Sequence, residues 1–585
     1  MTISPGAVRE RELCRQELFF TFELLSTLVS IIFNRFIYMK KITLLFLLVF
    51  LLGSIAEAQL PRLLKDINVQ GPGIDLYDVA LTEYNGKIYF SANDGISGTE
   101  LWVTDGTEAG TQQVTDIWAG SGSGFPRGRI LFNGLIYFSA YDPVHGQELW
   151  ASDGTGAGTF MIKDIYPGTD GSGANNFAVY NGRLYFSASD PTHGNELWSS
   201  DGTDTGTAML KDINPGAAFG FCSGFIVHNG KMYFSAKDAT HGYELWITDG
   251  TEAGTQMVKD IYPGPSDGYS YAQWCEFNGN LYFSANDGVH GFELWETDGT
   301  DAGTQMVIDL YPGSGSGYPS RISVYNNAMY FPAADSAHGN ELWTSDGTAA
   351  GTSLVKDIWP GTTGSFPSGM CIYHDKLYFR ASDNLYGAEL WTSDGTDTGT
   401  HLVKDIMHGL SPSFPRNLVT YADQLYFIAV QSQAEGYQLF RYNDSTNVTE
   451  EVVPASYLYN ACTDNDMDQY SMPGVAMNIL FYPATYDSLS TEFYKIQSST
   501  IGINEIHEDV SFSLFPDPAT SEVSIAFNGG RKNADALLFD MEGHELSRKH
   551  FDDKILIDVH DFASGIYAVE LISSGGSLVK KFVKQ

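Results

Sequence analysis

A three-residue motif, Glu-Leu-Trp, returns along most of this 585-residue chain at a nearly constant interval. Its copies are 48 or 49 residues apart and begin at Glu100, Glu148, Glu196, Glu244, Glu293, Glu341 and Glu389. A divergent eighth copy starts at Gln438, and a more divergent ninth unit ends with Glu492-Phe493-Tyr494. A fixed period of roughly 20–50 residues is the signature of an array of similar structural units. The period therefore limits the fold more strongly than the composition does.

Each unit has the pattern of four short strands. The first strand ends at an Asn-Gly pair in five units, as at Asn181-Gly182, which predicts a two-residue type I′ hairpin turn. The third strand carries Glu-Leu-Trp, and an Asp-Gly-Thr turn precedes the fourth strand. This repetition predicts an all-β fold, a β-propeller of about eight four-stranded blades, or nine if residues 475–497 form one. An open β-solenoid is the alternative. We expect the lone strand Leu63–Ile67 to complete the last blade, because that would remove an exposed edge.

The phrase Glu-Leu-Trp-x-x-Asp-Gly-Thr, seen complete at Glu196–Thr203, resembles the bacterial repeat family named after it, the ELWxxDGT repeats. The resemblance covers residues 60–455. It implies a secreted or cell-surface repeat protein and brings no established activity with it.

The segment from Met39 predicts export. Two lysines precede an apolar run, and Ala56 and Ala58 are the small residues that a signal peptidase reads, so residues 39–58 are predicted to be a signal peptide. The apolar run is shorter than the ~20 residues that span a bilayer, so no transmembrane anchor is expected in the mature chain. Residues 1–38 are predicted to be a non-native extension; a second membrane segment over Phe19–Phe33 is the alternative.

The repeat pattern stops after Ile496. Residues 59–496 are predicted to be the propeller, 497–509 a linker, and 510–585 a small immunoglobulin-like β-sandwich. The segment Phe515–Thr520, the strand at Gly565 and the basic tail closely resemble the C-terminal sorting domain of the type IX secretion system of Bacteroidetes, although Asp517 stands where that family usually has Asn. The resemblance implies transport by the type IX machinery to the outer cell surface or the medium.

Charge and cysteine content limit the partners and the framework. The formal net charge of −38 disfavours nucleic acid and anionic membranes. Cys275 and Cys371 occupy the same place two repeats apart, about 20 Å if blades stack about 10 Å apart, which is beyond disulfide reach. The sequence leaves the states of Cys222 and Cys462 open.

The most site-like pattern is an Asp-x-x-His pair between the second and third strands. It occurs in five successive units, at Asp142/His145, Asp190/His193, Asp238/His241, Asp287/His290 and Asp335/His338. Such pairs can ligate metals or exchange protons. A catalytic centre is a single asymmetric set, however, so five identical pairs favour hydrogen bonding within each blade. Binding of several ligands or metal ions is the alternative.

Two acidic features are candidates for calcium. The Asp-Gly-Thr turn offers one carboxylate and one hydroxyl, too few for calcium alone, so we predict a structural role. The cluster Asp464, Asp466 and Asp468 resembles the start of a calcium loop but lacks its later glycine and glutamate, and it is a candidate metal site. No other cofactor is expected, and no common enzyme motif is present.

These patterns predict a secreted or surface-exposed, non-catalytic protein that binds or adheres to a glycan or another protein. The alternative is an extracellular polysaccharide-active enzyme with its site at the mouth of the propeller channel. A purely structural surface-layer component is a third hypothesis. The predicted active-site set is empty, and the ligand-binding residues are not specified by the repeats.

Overall fold

A computed structural model describes residues 61–497, except 76–77, 79, 270–272, 433–435, 453–473 and 485–490, and most residues from 511 to 584. The chain divides into a large unit that ends at Gln497 and a smaller unit that includes the C-terminal residues. The predicted extension 1–38, the signal peptide 39–58 and most of the linker 497–509 lie outside the described residues. Every regular element that is described is a strand. None of the described residues form a helix that could cross a membrane.

The described strands of the large unit form nine four-stranded antiparallel sheets, here called blades. The first strand of the chain, β1 (Arg62–Leu63), belongs to the last blade.

The strands of blades 1 to 4 are, in order, β2 (Thr82–Tyr84), β3 (Lys87–Asn93), β4 (Thr99–Thr104), β5 (Gln112–Thr115); β6 (Arg127–Phe132), β7 (Leu135–Asp142), β8 (Gly146–Ser152), β9 (Thr159–Lys163); β10 (Asn175–Tyr180), β11 (Arg183–Asp190), β12 (Gly194–Ser200), β13 (Ala208–Lys211); β14 (Ser223–His228), β15 (Lys231–Asp238), β16 (Gly242–Thr248), β17 (Gln256–Lys259).

The strands of blades 5 to 9 that follow β17 are β18 (Cys275–Phe277), β19 (Asn280–Asn286), β20 (Phe292–Thr297), β21 (Gln305–Ile308); β22 (Ser323–Tyr325), β23 (Ala328–Asp335), β24 (Gly339–Ser345), β25 (Ser353–Lys356); β26 (Ser368–Tyr373), β27 (Lys376–Asp383), β28 (Gly387–Ser393), β29 (His401–Lys404); β30 (Arg416–Tyr421), β31 (Gln424–Val430), β32 (Tyr437–Asn443), β33 (Val448–Glu451); β34 (Gly474–Ala476), β35 (Ile479–Ala484), β36 (Glu492–Gln497).

The two ends of the large unit close the ring. Strand β1 pairs antiparallel with β36, and the Leu64 amide donates to the Phe493 carbonyl at 2.9 Å. Side chains of blade 9 and blade 1, among them Phe481 and Phe90, share one hydrophobic cluster. The predicted propeller and its completion by an N-terminal strand are therefore confirmed, although that strand is Arg62–Leu63 and not Leu63–Ile67. The number of blades is nine, the second of the two counts that the sequence allowed, because strands 474–497 with β1 form a full blade.

The repeat motifs explain how neighbouring blades pack. Trp198 of blade 3 lies in a cluster with Tyr137 and Leu149 of blade 2, whereas Leu197 lies in a cluster with Phe234 and Trp246 of blade 4. Successive side chains of a strand point to opposite faces, so Leu and Trp of one motif bind the blades on either side. Burial of such apolar area contributes roughly 25 cal/mol per Å² and holds the ring together.

Two opposite faces of the ring carry different connections. Because strands alternate in direction, the first-to-second and third-to-fourth strand turns lie on one face, here called the turn face. The second-to-third strand loops and the links to the next blade lie on the other, here called the connection face. First strands contact one another across blades, as β6, β10 and β14 do, and so lie nearest the axis. The Asn-Gly turns have positive φ at both residues, 47° at Asn133 and 74° at Gly134, as type I′ requires.

The C-terminal unit consists of two sheets. The strands are β37 (Ser511–Phe515), β38 (Glu522–Asn528), β39 (Ala534–Phe539), β40 (Glu545–Phe551), β41 (Lys554–Asp558), β42 (Gly565–Ser573) and β43 (Gly576–Lys584). One sheet has the order β37-β38-β41 and the other β40-β39-β42-β43. Val523 and Ile557 of the first sheet share a core with Leu538 and Val569 of the second. The predicted immunoglobulin-like relationship stays a prediction.

Candidate binding site

The glutamate of each Glu-Leu-Trp motif is fully buried. Glu100 has no exposed surface. Its carboxylate accepts hydrogen bonds from the backbone amides of Ile117 at 2.9 Å, Trp118 at 3.2 Å and Gly124 at 2.9 Å. These amides belong to the link that leads into blade 2. The carboxylate therefore replaces the sheet partners that the link lacks.

The same arrangement recurs around the ring, with local variations. In blade 2 Ser172 adds a hydroxyl hydrogen bond of 2.6 Å to Glu148, and in blade 9 Glu492 accepts from the Asn68 amide at 3.2 Å. Blade 8 has the neutral Gln438 at this position, also fully buried. Burial raises the pKa of Glu100 and Glu492 to about 7, against the hydrogen bonds, which lower it. Backbone amides of the links donate to these carboxylates, which thereby stabilise the links between blades.

The five Asp-x-x-His pairs form hydrogen bonds inside their own loops. His193 Nδ1 lies 2.8 Å from Asp190 Oδ2, and Asp190 Oδ1 also accepts from the Thr192 and His193 amides at 2.7 Å. The other four pairs have Nδ1–Oδ2 distances of 2.7 or 2.8 Å. The hydrogen bond to Asp190 raises the pKa of His193. This geometry favours the structural interpretation of the pairs over ligand binding.

The Asp-Gly-Thr turn is likewise satisfied internally. Asp201 Oδ1 accepts from the Thr203 amide at 2.9 Å and the Thr203 hydroxyl at 2.7 Å, which lowers the pKa of Asp201. The Thr203 hydroxyl in turn accepts from the Gly206 amide at 3.0 Å. Gly202 has a φ of 95°, and a β-carbon there would lie 2.5 Å from Tyr137 Oη of the previous blade. The turn closes a hairpin and seats one blade against the next.

The calcium candidates Asp464, Asp466 and Asp468 lie outside the described residues, so the metal site stays a prediction. Within the described part of the chain, no group of three or more His, Cys, Asp or Glu side chains is arranged to hold a metal ion.

The described cysteines are free thiols: Cys222, Cys275 and Cys371. This agrees with the expectation that Cys275 and Cys371 are not bonded to each other. Burial raises the pKa of the Cys222 thiol well above its ordinary value. A buried thiol held protonated is a poor nucleophile, so Cys222 fills space between blades 3 and 4.

A pocket of about 580 Å³ opens where blades 3 and 4 meet on the connection face. Blade 3 contributes amide and hydroxyl groups, and blade 4 with its incoming and outgoing links contributes aromatic rings. The lining includes Asn175, Asn195, Phe219, Phe221, Tyr243 and Asp267. Pockets of this size commonly hold small molecules or segments of polymers.

The polar side of the pocket is pre-organised by its own hydrogen bonds. Ser187 Oγ donates to Asn195 Oδ1 at 2.5 Å, and Asn195 Nδ2 donates to Ser189 Oγ at 3.3 Å. Asn176 Nδ2 donates to the Cys222 carbonyl at 3.1 Å, which joins the two blades. The amides are thereby fixed in orientation before a ligand arrives, which reduces the entropy lost on binding.

The aromatic side of the pocket is open to solvent. Phe219 and Phe221 are 47% and 45% exposed, with ring centroids 5.1 Å apart, and Phe221 lies 6.3 Å from Tyr243. Asp267 accepts from the Tyr243 amide at 3.0 Å and contacts Lys237 Nζ at 3.3 Å. These residues are not predicted from the repeat pattern because they lie where the repeats differ. The available signal was the run of aromatic residues in the links between blades.

The architecture and the pocket define a β-propeller with a candidate ligand site on one face. Residues 513–585 match the family model of the secretion system C-terminal sorting domain. This match confirms the predicted type IX sorting domain, which indicates export to the outer surface or the medium and interaction with the secretion machinery. It covers the C-terminal unit alone.

Comparisons of whole chains give fold similarity only. No curated protein sequence matches this chain. A puromycin hydrolase structure is 12% identical with a TM-score of 0.32, covering 64% of this chain and 61% of its own. A prolyl endopeptidase structure is 10% identical with a TM-score of 0.34, covering 69% and 54%. The chain thus spans less than two thirds of either hydrolase.

A third similar structure is the extracellular domain of a putative hybrid two-component system from B. thetaiotaomicron. It is 10% identical with a TM-score of 0.30, and the alignment covers 90% of this chain and 99% of that domain.

Proposed function

We propose that this protein is an exported, non-catalytic ELWxxDGT-repeat propeller that binds an extracellular glycan in the pocket between blades 3 and 4. The observation that carries the proposal is the composition of that pocket, which is lined by the solvent-open rings of Phe219 and Phe221 and by the amides of Asn175 and Asn195. Aromatic rings offer a flat apolar platform, and oriented amides and hydroxyls donate to and accept from sugar hydroxyls.

Binding is favoured over hydrolysis by the charges in the pocket. Among the described residues that line the pocket, Asp267 is the one carboxylate, and it already bonds to the Tyr243 amide and Lys237. Glycoside hydrolysis by the general route uses two carboxyl groups about 5–10 Å apart, one on each side of the scissile bond. A single carboxylate with two partners supports a role in positioning a ligand.

The test uses the full-length protein secreted by its host. Soluble xyloglucan, galactomannan, laminarin and amylose serve as neutral probes, and alginate and polygalacturonate as anionic probes, in affinity gels and calorimetry. We expect at least one neutral glycan to bind, and Phe219→Ala to weaken that binding. Phe160→Ala is the matched control, since Phe160 is 46% exposed on β9, away from the pocket.

Four results would contradict the proposal. If the protein binds none of the neutral glycans, the proposal is wrong. If Phe219→Ala and Phe160→Ala lose the same amount of glycan affinity, the pocket is not the binding site. Release of reducing ends from any probe would replace it with the enzyme hypothesis. Binding to a protein array but to no glycan would point to adhesion through a protein partner.

A further inference from the structure

Five of the described links between blades carry an exposed aromatic residue at the same structural position. They are Phe125, Phe221, Tyr318, Phe366 and Phe414, which we call the aromatic crown. Each is between 41% and 59% exposed and has a positive φ between 45° and 51°. The crown therefore extends the aromatic side of the blade 3–4 pocket to four other blade junctions on the connection face.

The left-handed backbone at these positions is held by a repeated hydrogen bond. The amide of Tyr318 donates to the Phe292 carbonyl at 3.0 Å, and that of Phe366 donates to the Asn340 carbonyl at 3.1 Å. In both cases the acceptor is the residue just before Glu-Leu-Trp. The link is thus fixed to the third strand of the preceding blade, whatever side chain the aromatic position carries.

An aromatic side chain is a costly choice for this backbone. A left-handed conformation is unfavourable for a bulky L-residue, whereas glycine adopts it freely. One link of this chain has glycine at the corresponding position. Gly173, between blades 2 and 3, has a φ of 60°, and its amide donates to the Gln147 carbonyl at 3.0 Å. Because glycine satisfies the same backbone hydrogen bond, that bond does not explain why five of these positions carry an exposed ring. Strain of this kind concentrates at functional sites.

The surroundings of the crown identify the chemistry of its ligand. Around Tyr318 a second pocket of about 280 Å³ combines Phe292, stacked on Tyr318 at 5.5 Å, with the polar side chains of Gln273, Ser284 and Ser320. Rings separated by polar loops suit a ligand that alternates apolar faces with hydroxyl groups, as a pyranose chain does. The net charge of −38 opposes uronic or sulfated polymers. The ligand class that fits is a neutral polysaccharide.

We infer that the aromatic crown binds one neutral polysaccharide at several blade junctions at once, with the blade 3–4 pocket as one of its subsites. This inference rests on the proposed function and adds multivalency to it. Linked subsites raise the affinity for a polymer without raising the affinity for a short oligosaccharide that reaches one subsite.

The experiment compares polymer and oligosaccharide binding for two groups of variants of the full-length protein. The distal variant combines Tyr318→Gly and Phe366→Gly, which removes two rings far along the chain from the pocket and relieves the backbone. Phe366→Asn is a second form, because asparagine also tolerates a left-handed backbone. Phe221→Gly removes the ring in the pocket. Probes are the neutral polysaccharide that wild type binds and a tetrasaccharide prepared from it.

We expect the distal variant to lose at least about tenfold in affinity for the polymer and to keep its tetrasaccharide affinity. Phe221→Gly weakens both. The unfolding temperature of Phe366→Gly is expected to equal or exceed that of wild type. If the ring stabilised the fold by packing, the unfolding temperature would fall instead.

The outcomes separate this inference from the proposed function. Unchanged polymer binding by the distal variant, with wild type binding normally, overturns the crown and leaves the pocket. Loss of thermal stability in Phe366→Gly and Phe366→Asn also overturns it, because the rings would then serve the fold. If wild type binds no neutral polysaccharide, both proposals fail.

Discussion

Replacement of Glu100 tests whether the buried carboxylates hold the links between blades. Glu100 is fully buried, and the amides of Ile117, Trp118 and Gly124 donate to it. Glu100→Ala leaves three backbone donors, one at a buried and two at half-buried positions, without a protein partner. At about 1–3 kcal/mol for each unsatisfied group, with partial rescue by water, the expected loss of unfolding free energy is about 3–6 kcal/mol.

Glu100→Gln is the matched variant. Its amide oxygen accepts from one or two of the three donors, but its NH₂ group faces the remainder, so the expected loss is about 1–2 kcal/mol. Gln438 shows that a buried glutamine is compatible with a blade of this ring. The order of stability is therefore wild type, then Glu100→Gln, then Glu100→Ala.

Urea denaturation at pH 8, followed by tryptophan fluorescence, gives the three midpoints, and hydrogen exchange at the three amides locates the effect. Trp118 lies in the affected link and stacks on Tyr141 at 5.1 Å, so its environment reports the link directly. Equal midpoints for wild type and Glu100→Ala, or exchange that is unchanged at Ile117 and Gly124, would refute the structural role of the carboxylate.

Three further outcomes follow from the same contacts. Burial raises the pKa of the motif glutamates, to about 8 at Glu244, and the hydrogen bond to Asp238 raises the pKa of His241. The folded state therefore binds more protons than the unfolded state, and the unfolding temperature in thermal scans is expected to fall from pH 5 to pH 8. A rise over this range would contradict the argument. Gly202→Ala lowers the free energy of unfolding by about 2 kcal/mol more than Gly182→Ala in denaturation experiments. Both glycines have positive φ, but only at Gly202 would a β-carbon lie against Tyr137 Oη. Equal losses would exclude that contact. Deletion of residues 513–585 keeps the protein off the cell surface and out of the medium in fractionated cultures, and export of the truncated chain would count against the sorting domain.

The sequence was sufficient for the architecture because each motif acts locally or between adjacent repeats. The Asn-Gly turns fix hairpins through their own φ values, and Leu197 with Trp198 fixes the packing on both sides of a strand. The number of blades was harder to predict, because the ninth unit has Glu492-Phe493-Tyr494 in place of the motif and so lacks the tryptophan. The outer strand of that blade is Arg62–Leu63, from the opposite end of the unit. Closure depends on that distant pairing, which a repeat count does not contain.

The sequence was insufficient for the site for two physical reasons. The role of Glu100 depends on amides 17, 18 and 24 residues later, and nothing in the local pattern distinguishes a buried carboxylate from an exposed one on a strand. The crown is opposed by backbone preference, because a residue such as Phe366 is not expected at a φ of 51°. An arrangement that tertiary contacts impose against local preference is visible only in the fold.

The residue just before each Glu-Leu-Trp shows how one scaffold supports different surfaces. Its carbonyl is always used for construction: Thr99, Asn195 and Phe292 all accept from the link that follows. Its side chain takes no part in that bond, and it differs from blade to blade, from Asn195 in the larger pocket to Phe292 under Tyr318. Substitution here changes the lining of a junction without removing the hydrogen bond that holds it. Variation is therefore structurally cheap on the connection face, and differences in ligand preference among the junctions are expected to arise there.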